Sequence, residues 1–364
     1  MSAKAKSALL MSGLSSLLIV GAGAGIFGPA VPVFEAQFQL STVTAGLLIS
    51  TLWIGCLTGV LLMYFKGAVM TPQLPLALMA LGCVVLALAP MWWVVLAGAI
   101  VFGIGYGSVA ALFNPRVLSA YGETGASKVG LLNALYSIGA ILAPYAFTLL
   151  GSDLRPVFWG MAVIAGLTAL LSGKIGLTGL VPEAHGRGFK LHLPILVLAA
   201  LAIGIEASLG GLGPAALIRA GVAEETAAVL LSLFFVAQLA TRVTLIFTAH
   251  RFPDFAIFVA AVTIAALCAL GAALISPAFF FPPMGVAAGL FFQGEYVTAT
   301  RKMGDDPRVS PVILGVGLAG AVVSPLIYAR FMDALGPHGF FWLVGGVAAV
   351  TTALSLAFYR AMMR

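Results

Sequence analysis

The sequence predicts an all-α membrane protein: twelve transmembrane helices in two pseudo-symmetric six-helix bundles. Three observations predict it. Of 364 residues, 62% are hydrophobic and 8% charged, against about 25% charged in soluble chains, and the mean hydropathy is +1.13. The apolar residues fall in solid blocks near the ~20-residue length a helix needs to cross a bilayer, without the alternation of barrel strands. The chain also repeats itself at about half its length, which marks a duplicated architecture.

The blocks lie near 8–34, 42–64, 73–90, 92–115, 128–150, 155–177, 193–218, 225–247, 254–275, 279–300, 309–330 and 338–360. Twelve spans use about 240 residues and leave about ten for each tail or loop, which excludes a large soluble domain. The pairs 73–90/92–115 and 254–275/279–300 are joined by very short turns and read as tight hairpins. Forty-three glycines and nineteen prolines fit membrane helices, which tolerate both. Cys56, Cys83 and Cys268 sit in apolar stretches, so no disulfide framework is expected.

Charge sets the orientation. With an even number of spans both termini share a side. Fifteen of the 18 Lys and Arg residues fall on that side, leaving Arg155, Arg219 and Arg330 opposite, while Asp and Glu do not follow the split. This is positive-inside behaviour, and it puts both termini in the cytoplasm of a cell (inner) membrane protein. The net charge of +6 therefore reflects topology, and no nucleic-acid partner is expected. Lys4, Lys6 and Ala22-Gly23-Ala24 imitate a cleaved signal peptide. Removing that span would leave eleven helices and break the repeat.

The repeat sets the domains. GAGAGIFGPAVPVF (21–34) aligns with EASLGGLGPAALIR (206–219), bringing Gly28-Pro29-Ala30 onto Gly213-Pro214-Ala215. STLWIGCLTGVLL from Ser50 aligns with SLFFVAQLATRVTL from Ser232, and Gly139-x4-Pro144 with Gly320-x4-Pro325. The expected division is 1–177 and 193–364, joined by a polar cytoplasmic linker at 178–192. Parallel six-helix halves point to a transporter whose halves rock about a midplane cavity.

The glycine-rich opening GAGAGIFGPAVPVF…LSTVTAGLLISTLWIGCLTG and its second-half copy, with FGIGYGSVAALFNPRV (102–117) and LLNALYSIGAILAP (131–144), resemble the major facilitator superfamily. Within it, Asn114-Pro115 after a glycine-rich run, and Glu206 followed by Gly210-Gly211, look most like the fucose-permease and sugar-symporter branch. The resemblance implies secondary active transport of a small polar, sugar-like solute by alternating access, with no cofactor and no enzymatic activity. Two features depart from it. The superfamily's basic loop between spans two and three is reduced to YFKGAVMTPQ, and Ala110 stands where the branch carries an acid before its Asn.

Glu206 is the leading candidate for chemistry. It falls roughly 20 Å along its span at ~1.5 Å per residue, where an ionised group costs at least ~2.5–3.5 kcal/mol. Such an acid holds a proton in dry surroundings and releases it when a cavity wets, as a proton-coupled carrier requires. The plain alternative is a neutral Glu bonded to a neighbouring helix. Glu295 is the second intramembrane acid, and its plain alternative is a bond to the basic cluster or a helix-end amide. Either acid could couple protons while the other binds substrate. Gln238 and Arg242 are i, i+4 on one helix face. Arg242 could bind an anionic group or pair with an acid, but at its depth a snorkelling arginine is the favoured reading. Gln293, Asn114, Asn133 and Tyr136 complete the expected substrate-binding set, since amides and phenols both donate and accept, with interhelical bonding an equal alternative for Asn114, Asn133 and Tyr136. Pro29, Pro144, Pro214 and Pro325 are candidate gates, a fixed kink being equally compatible.

No P-loop, G-x-S-x-G or H-E-x-x-H is present, and the four histidines lie at loops or span ends. The expected partners are a small-molecule solute, the proton and the bilayer, and a monomer is expected. Two other readings remain. Gly130-x8-Gly139-x3-Ala143-Pro144 is half of an antiporter motif, which fits a proton-antiport exporter of amphipathic compounds. A transporter fold that assists assembly of another membrane complex is the other.

Overall fold

A computed structural model describes residues 3–66, 70–121, 125–173, 175, 190–248, 251–304 and 309–363. The described residues form twelve long helices, a single-turn α-helix and a short 3-10 helix at Met332–Leu335. In the first half these are α1 (Ala3–Phe38), α2 (Thr42–Lys66), α3 (Gln73–Leu88), α4 (Trp92–Tyr121), α5 (Gly125–Leu149) and α6 (Leu154–Ser172). In the second they are α7 (Leu193–Arg219), α8 (Glu224–Thr248), α9 (Asp254–Leu274), the single turn α10 (Pro277–Phe280), α11 (Met284–Met303), α12 (Val309–Phe331) and α13 (Gly339–Met363). Ten of the long helices are long and apolar enough to cross a membrane, so the chain is a multi-pass membrane protein. Helix α3 has 16 residues, about 24 Å at ~1.5 Å per residue. Helix α11 carries Glu295, Arg301 and Lys302 within 20 residues, which dilutes its apolar character.

The stretch expected as one span at 279–300 is divided. Ser276 caps α10 through its side chain, accepting from the Phe279 N–H at 3.3 Å, and α11 starts only after Pro282-Pro283. The prolines, which lack an N–H donor, force the restart. At the start of α6, Asp153 accepts from the Arg155 N–H at 2.9 Å and satisfies a donor that the first helical turn leaves open.

The chain forms two compact units, Met1–Pro182 and Glu183–Arg364. The linker expected at 178–192 falls mostly outside the described residues, which resume at Lys190. The same helix pairings recur in both units. In the first, α1 packs on α5, α2 on α4, α3 on α4 and α3 on α6. In the second, α7 packs on α12, α8 on α11, α9 on α11 and α9 on α13.

Small residues bring these pairs together, as expected where lipid offers no hydrophobic drive and backbones must approach closely. A side chain at Gly139 of α5 would run into the Leu18 carbonyl of α1, and one at Gly320 of α12 into the Ala200 carbonyl of α7. These are the glycines of the repeated Gly-x4-Pro pattern. Gly139→Leu and Gly320→Leu are each expected to cost at least about 1–3 kcal/mol by overpacking. A lowered melting temperature in detergent checks this, with Gly160→Leu unchanged because open space surrounds that position.

Candidate functional site

The second unit brings three of the expected site residues into one cluster. Helix α7 runs Leu193–Arg219 and places Glu206 thirteen residues from either end. Helix α8 lies against it and presents Gln238 and Arg242 one turn apart, so both reach the same carboxylate oxygen. The Gln238 amide donates to Glu206 Oε1 at 2.7 Å, and an Arg242 guanidinium nitrogen lies 3.5 Å from that oxygen. Gln238 is buried at 2% exposure, whereas the Arg242 and Glu206 side chains keep 34% and 22% of theirs. The cluster is thus a charged pair with one accessible edge, steadied from the dry side by an amide.

Arg242 is therefore engaged by a carboxylate rather than snorkelling freely. The i, i+4 spacing places Gln238 and Arg242 on the face turned to α7, and a charge at this depth is least costly beside an opposite one.

Helix α11 supplies the second acid. Close approach sets its place: a side chain at Gly285 would overlap the Phe234 carbonyl of α8. One at Gly289 would lie 2.9 Å from the Gln238 carbonyl and 2.8 Å from Thr241 Cβ. Gly294 packs equally close to the Phe258 backbone of α9. Glu295 follows in this tightly packed stretch at 1% exposure, within electrostatic reach of Glu206. Its Oε2 is buried with no hydrogen-bond partner. The nearby cations offer it nothing: Arg301 pairs with Asp254 at 2.7 Å, and Lys302 donates to the Ala361 carbonyl at 2.8 Å. The bond to the basic cluster that Glu295 could have made is absent among the described residues.

Two carboxyls thus lie within electrostatic reach of each other, and one of them, Glu206, is paired with a guanidinium. An ionised carboxylate without a donor is costly in dry surroundings, while its protonated form is far less so. The arrangement is a neutral cluster when it holds one proton and a singly negative one when it holds none.

The remaining candidates lie elsewhere. Asn114, on α4, is half-buried, and its Oδ1 is enclosed without a partner. On α5, Asn133 is exposed and Tyr136 half-buried. All three belong to the first unit. The Gln293 side chain lies outside the described residues. Pro29, Pro144, Pro214 and Pro325 are all buried inside continuous helices, α1, α5, α7 and α12. Pro144 belongs to a tight helix contact, since a side chain at Gly25 would come within 3.0 Å of its ring. Phe234, Phe235 and Phe291 are buried packing residues.

One residue escaped the sequence reading. Arg116, one of the fifteen Lys and Arg residues on the side of the termini, is 5% exposed inside the last turns of α4 and donates to the Met70 carbonyl at 3.1 Å. Its place directly after Asn114-Pro115, in a run that stays helical, was the available signal. Among the described residues no three His, Cys, Asp or Glu side chains gather as metal ligands.

No protein-family model matches the chain. The structure is similar to that of a D-xylose–proton symporter, with a TM-score of 0.78, 13% identity, and coverage of 96% of this chain and 97% of that one. It is also similar to that of the nucleoside transporter NupG, with a TM-score of 0.74, 13% identity, and 99% of both chains covered. A stretch of 114 residues is 32% identical to the tetracycline resistance protein, class C, of Escherichia coli; it spans 30% of this chain and 27% of that protein's length. The fold is the major facilitator fold expected from the sequence.

Proposed function

We propose that this chain is a secondary transporter that moves a small polar solute across the cytoplasmic membrane by alternating access, coupled to the proton. The observation that carries the reading is the contact set of Glu206 with Gln238 and Arg242, with the buried carboxyl of Glu295 in electrostatic reach of Glu206: two carboxyls, one cation and one amide on helices of one unit. Intramembrane ionisable groups are costly and mark substrate or proton pathways.

Roles follow from the contacts. Glu206, held by Gln238 and Arg242, is the acid that stays charged. Glu295, enclosed and without a donor on Oε2, is the acid that carries the proton. Arg242, paired at one edge and accessible at the other, is the group that meets the solute, with Asn114, Asn133, Tyr136 and Gln293 as further polar contacts. Pro29, Pro144, Pro214 and Pro325 are the flexible points. Both termini are cytoplasmic and the working unit is a monomer. The fold is shared with transporters named for xylose and nucleosides, which favours a hydroxyl-rich solute.

Reconstitution in proteoliposomes tests this. Under an imposed pH gradient, addition of pentoses, hexoses or nucleosides is expected to alkalinise the outside medium in step with uptake. Proton entry linked to efflux would instead favour an exporter of amphipathic compounds. The stretch similar to the tetracycline resistance protein supports that second reading, and tetracycline belongs in the same assay. No solute-linked proton movement in either direction would refute both.

A further inference from the structure

We propose that the basic end of the second unit holds the headgroup of an anionic membrane phospholipid in a cleft between α9, α11 and α13. This site is separate from the acid cluster and does not depend on the transport reading.

The cleft has a volume of about 260 Å³ and is lined by Pro253, Asp254, Phe255 (α9 and the residue before it), Thr298, Arg301, Lys302 (α11) and Met362, Met363 (α13). That is below the ~300–1,000 Å³ of pockets that enclose drug-sized ligands, so it admits a headgroup and not a whole lipid. Its chemistry is divided. One wall is cationic, with the paired Arg301 and Lys302. The other is apolar and stiff: Phe255 packs on the Tyr359 ring at 5.9 Å between centroids, and Met362 is buried beside it.

Both cations are oriented by the fold with donors to spare. Arg301 gives one N–H to Asp254 at 2.7 Å and remains 73% exposed, leaving most of its five donors open. Lys302 gives one of three to the Ala361 carbonyl at 2.8 Å, which also ties α11 to the last turn of α13. A phosphodiester between them would receive charge-assisted hydrogen bonds from two directions. Asp254 is the one acid in the lining, and its charge is spent on Arg301. Arg251 and Arg360 are exposed at the same end but do not line the cleft. The apolar residues exposed nearby, Phe252, Phe358 and Met363, continue the surface along which acyl chains would run. Basic pockets between transmembrane helices bind anionic headgroups for these reasons. A bilayer lipid is the occupant because the cleft joins cationic donors to a lipid-facing apolar wall, and a free phosphate would use only the first.

The test uses the full chain purified in detergent and titrated with short-chain phosphatidylglycerol, short-chain phosphatidylcholine or inorganic phosphate, with melting temperature as the readout. Phosphatidylglycerol alone is expected to raise it saturably. The pair Arg301→Gln/Lys302→Gln is expected to weaken that response at least about fivefold, while Arg251→Gln/Arg360→Gln, an equal loss of charge outside the cleft, leaves it unchanged. Equal weakening by both pairs would reduce the effect to diffuse attraction and overturn the site. An equal response to inorganic phosphate would overturn the lipid assignment. Should the cleft variant not fold, photoreactive phosphatidylglycerol on the unmodified protein decides. Labels within 251–258, 298–302 or 358–363 support the site, and labels confined elsewhere overturn it.

Discussion

Glu295→Gln is expected to give a folded protein that binds its solute and no longer concentrates it. Glutamine keeps the shape of the side chain and removes the exchangeable proton. Under a gradient of one pH unit, one-for-one coupling sustains accumulation up to about tenfold, since ~1.4 kcal/mol corresponds to a factor of ten. The variant is expected to stop at a ratio of about one, while solute exchange between equally loaded compartments persists. Stability is expected to hold or rise slightly. The native carboxyl has a buried oxygen without a partner, and a neutral isostere removes the cost of ionising it. Accumulation that survives the substitution would take the proton from Glu295. A collapse of exchange along with accumulation would make it a solute contact instead.

Glu206 and Arg242 are expected to behave as a coupled pair. Glu206→Gln leaves a guanidinium at depth without its counter-ion, and Arg242→Gln leaves a carboxylate held by Gln238 alone. Fully buried pairs lose ~3–5 kcal/mol when one partner goes. Here the two side chains keep 22% and 34% of their exposure, so solvent screening reduces the expected loss to about 1–2 kcal/mol for each single variant. The double variant is expected to be more stable than the two losses added, by at least ~0.5 kcal/mol, as for residues in direct contact. Thermal unfolding of the four proteins measures it. Strict additivity would mean that the 3.5 Å approach carries no coupling. Transport is expected to fall at least about tenfold with Arg242→Gln, a loss the partner substitution does not rescue if the guanidinium also meets the solute.

Much of this was legible in the chain. Apolar runs of about 20 residues mark helices because the bilayer forces each span to satisfy its own backbone. The repeated Gly-x4-Pro and Gly-Pro-Ala patterns show the duplication because close helix contacts need the same small residues in both halves. The break before α11 was also written, in Ser276-Pro277 and Pro282-Pro283, but an apolar run masks it when hydropathy is read alone. The partner of Arg242 was not legible. Depth can be counted along a span, whereas the face turned to a neighbouring helix depends on packing across 36 residues of chain. Arg116 was hidden for a related reason: a cation near a span end reads as a loop residue until the helix continues past it and folds it against the Met70 carbonyl.

The glycines of α11 carry a mechanical consequence. With Gly285 set against the Phe234 carbonyl and Gly289 against the Gln238 carbonyl and the Thr241 side chain of α8, a larger residue at either position would push these two helices apart. Arg242 and Glu295 are thus carried on a closely packed pair of helices. The other acid rides on a different helix, α7, so a shift of α7 against this pair would change the Glu206 contacts to Gln238 and Arg242.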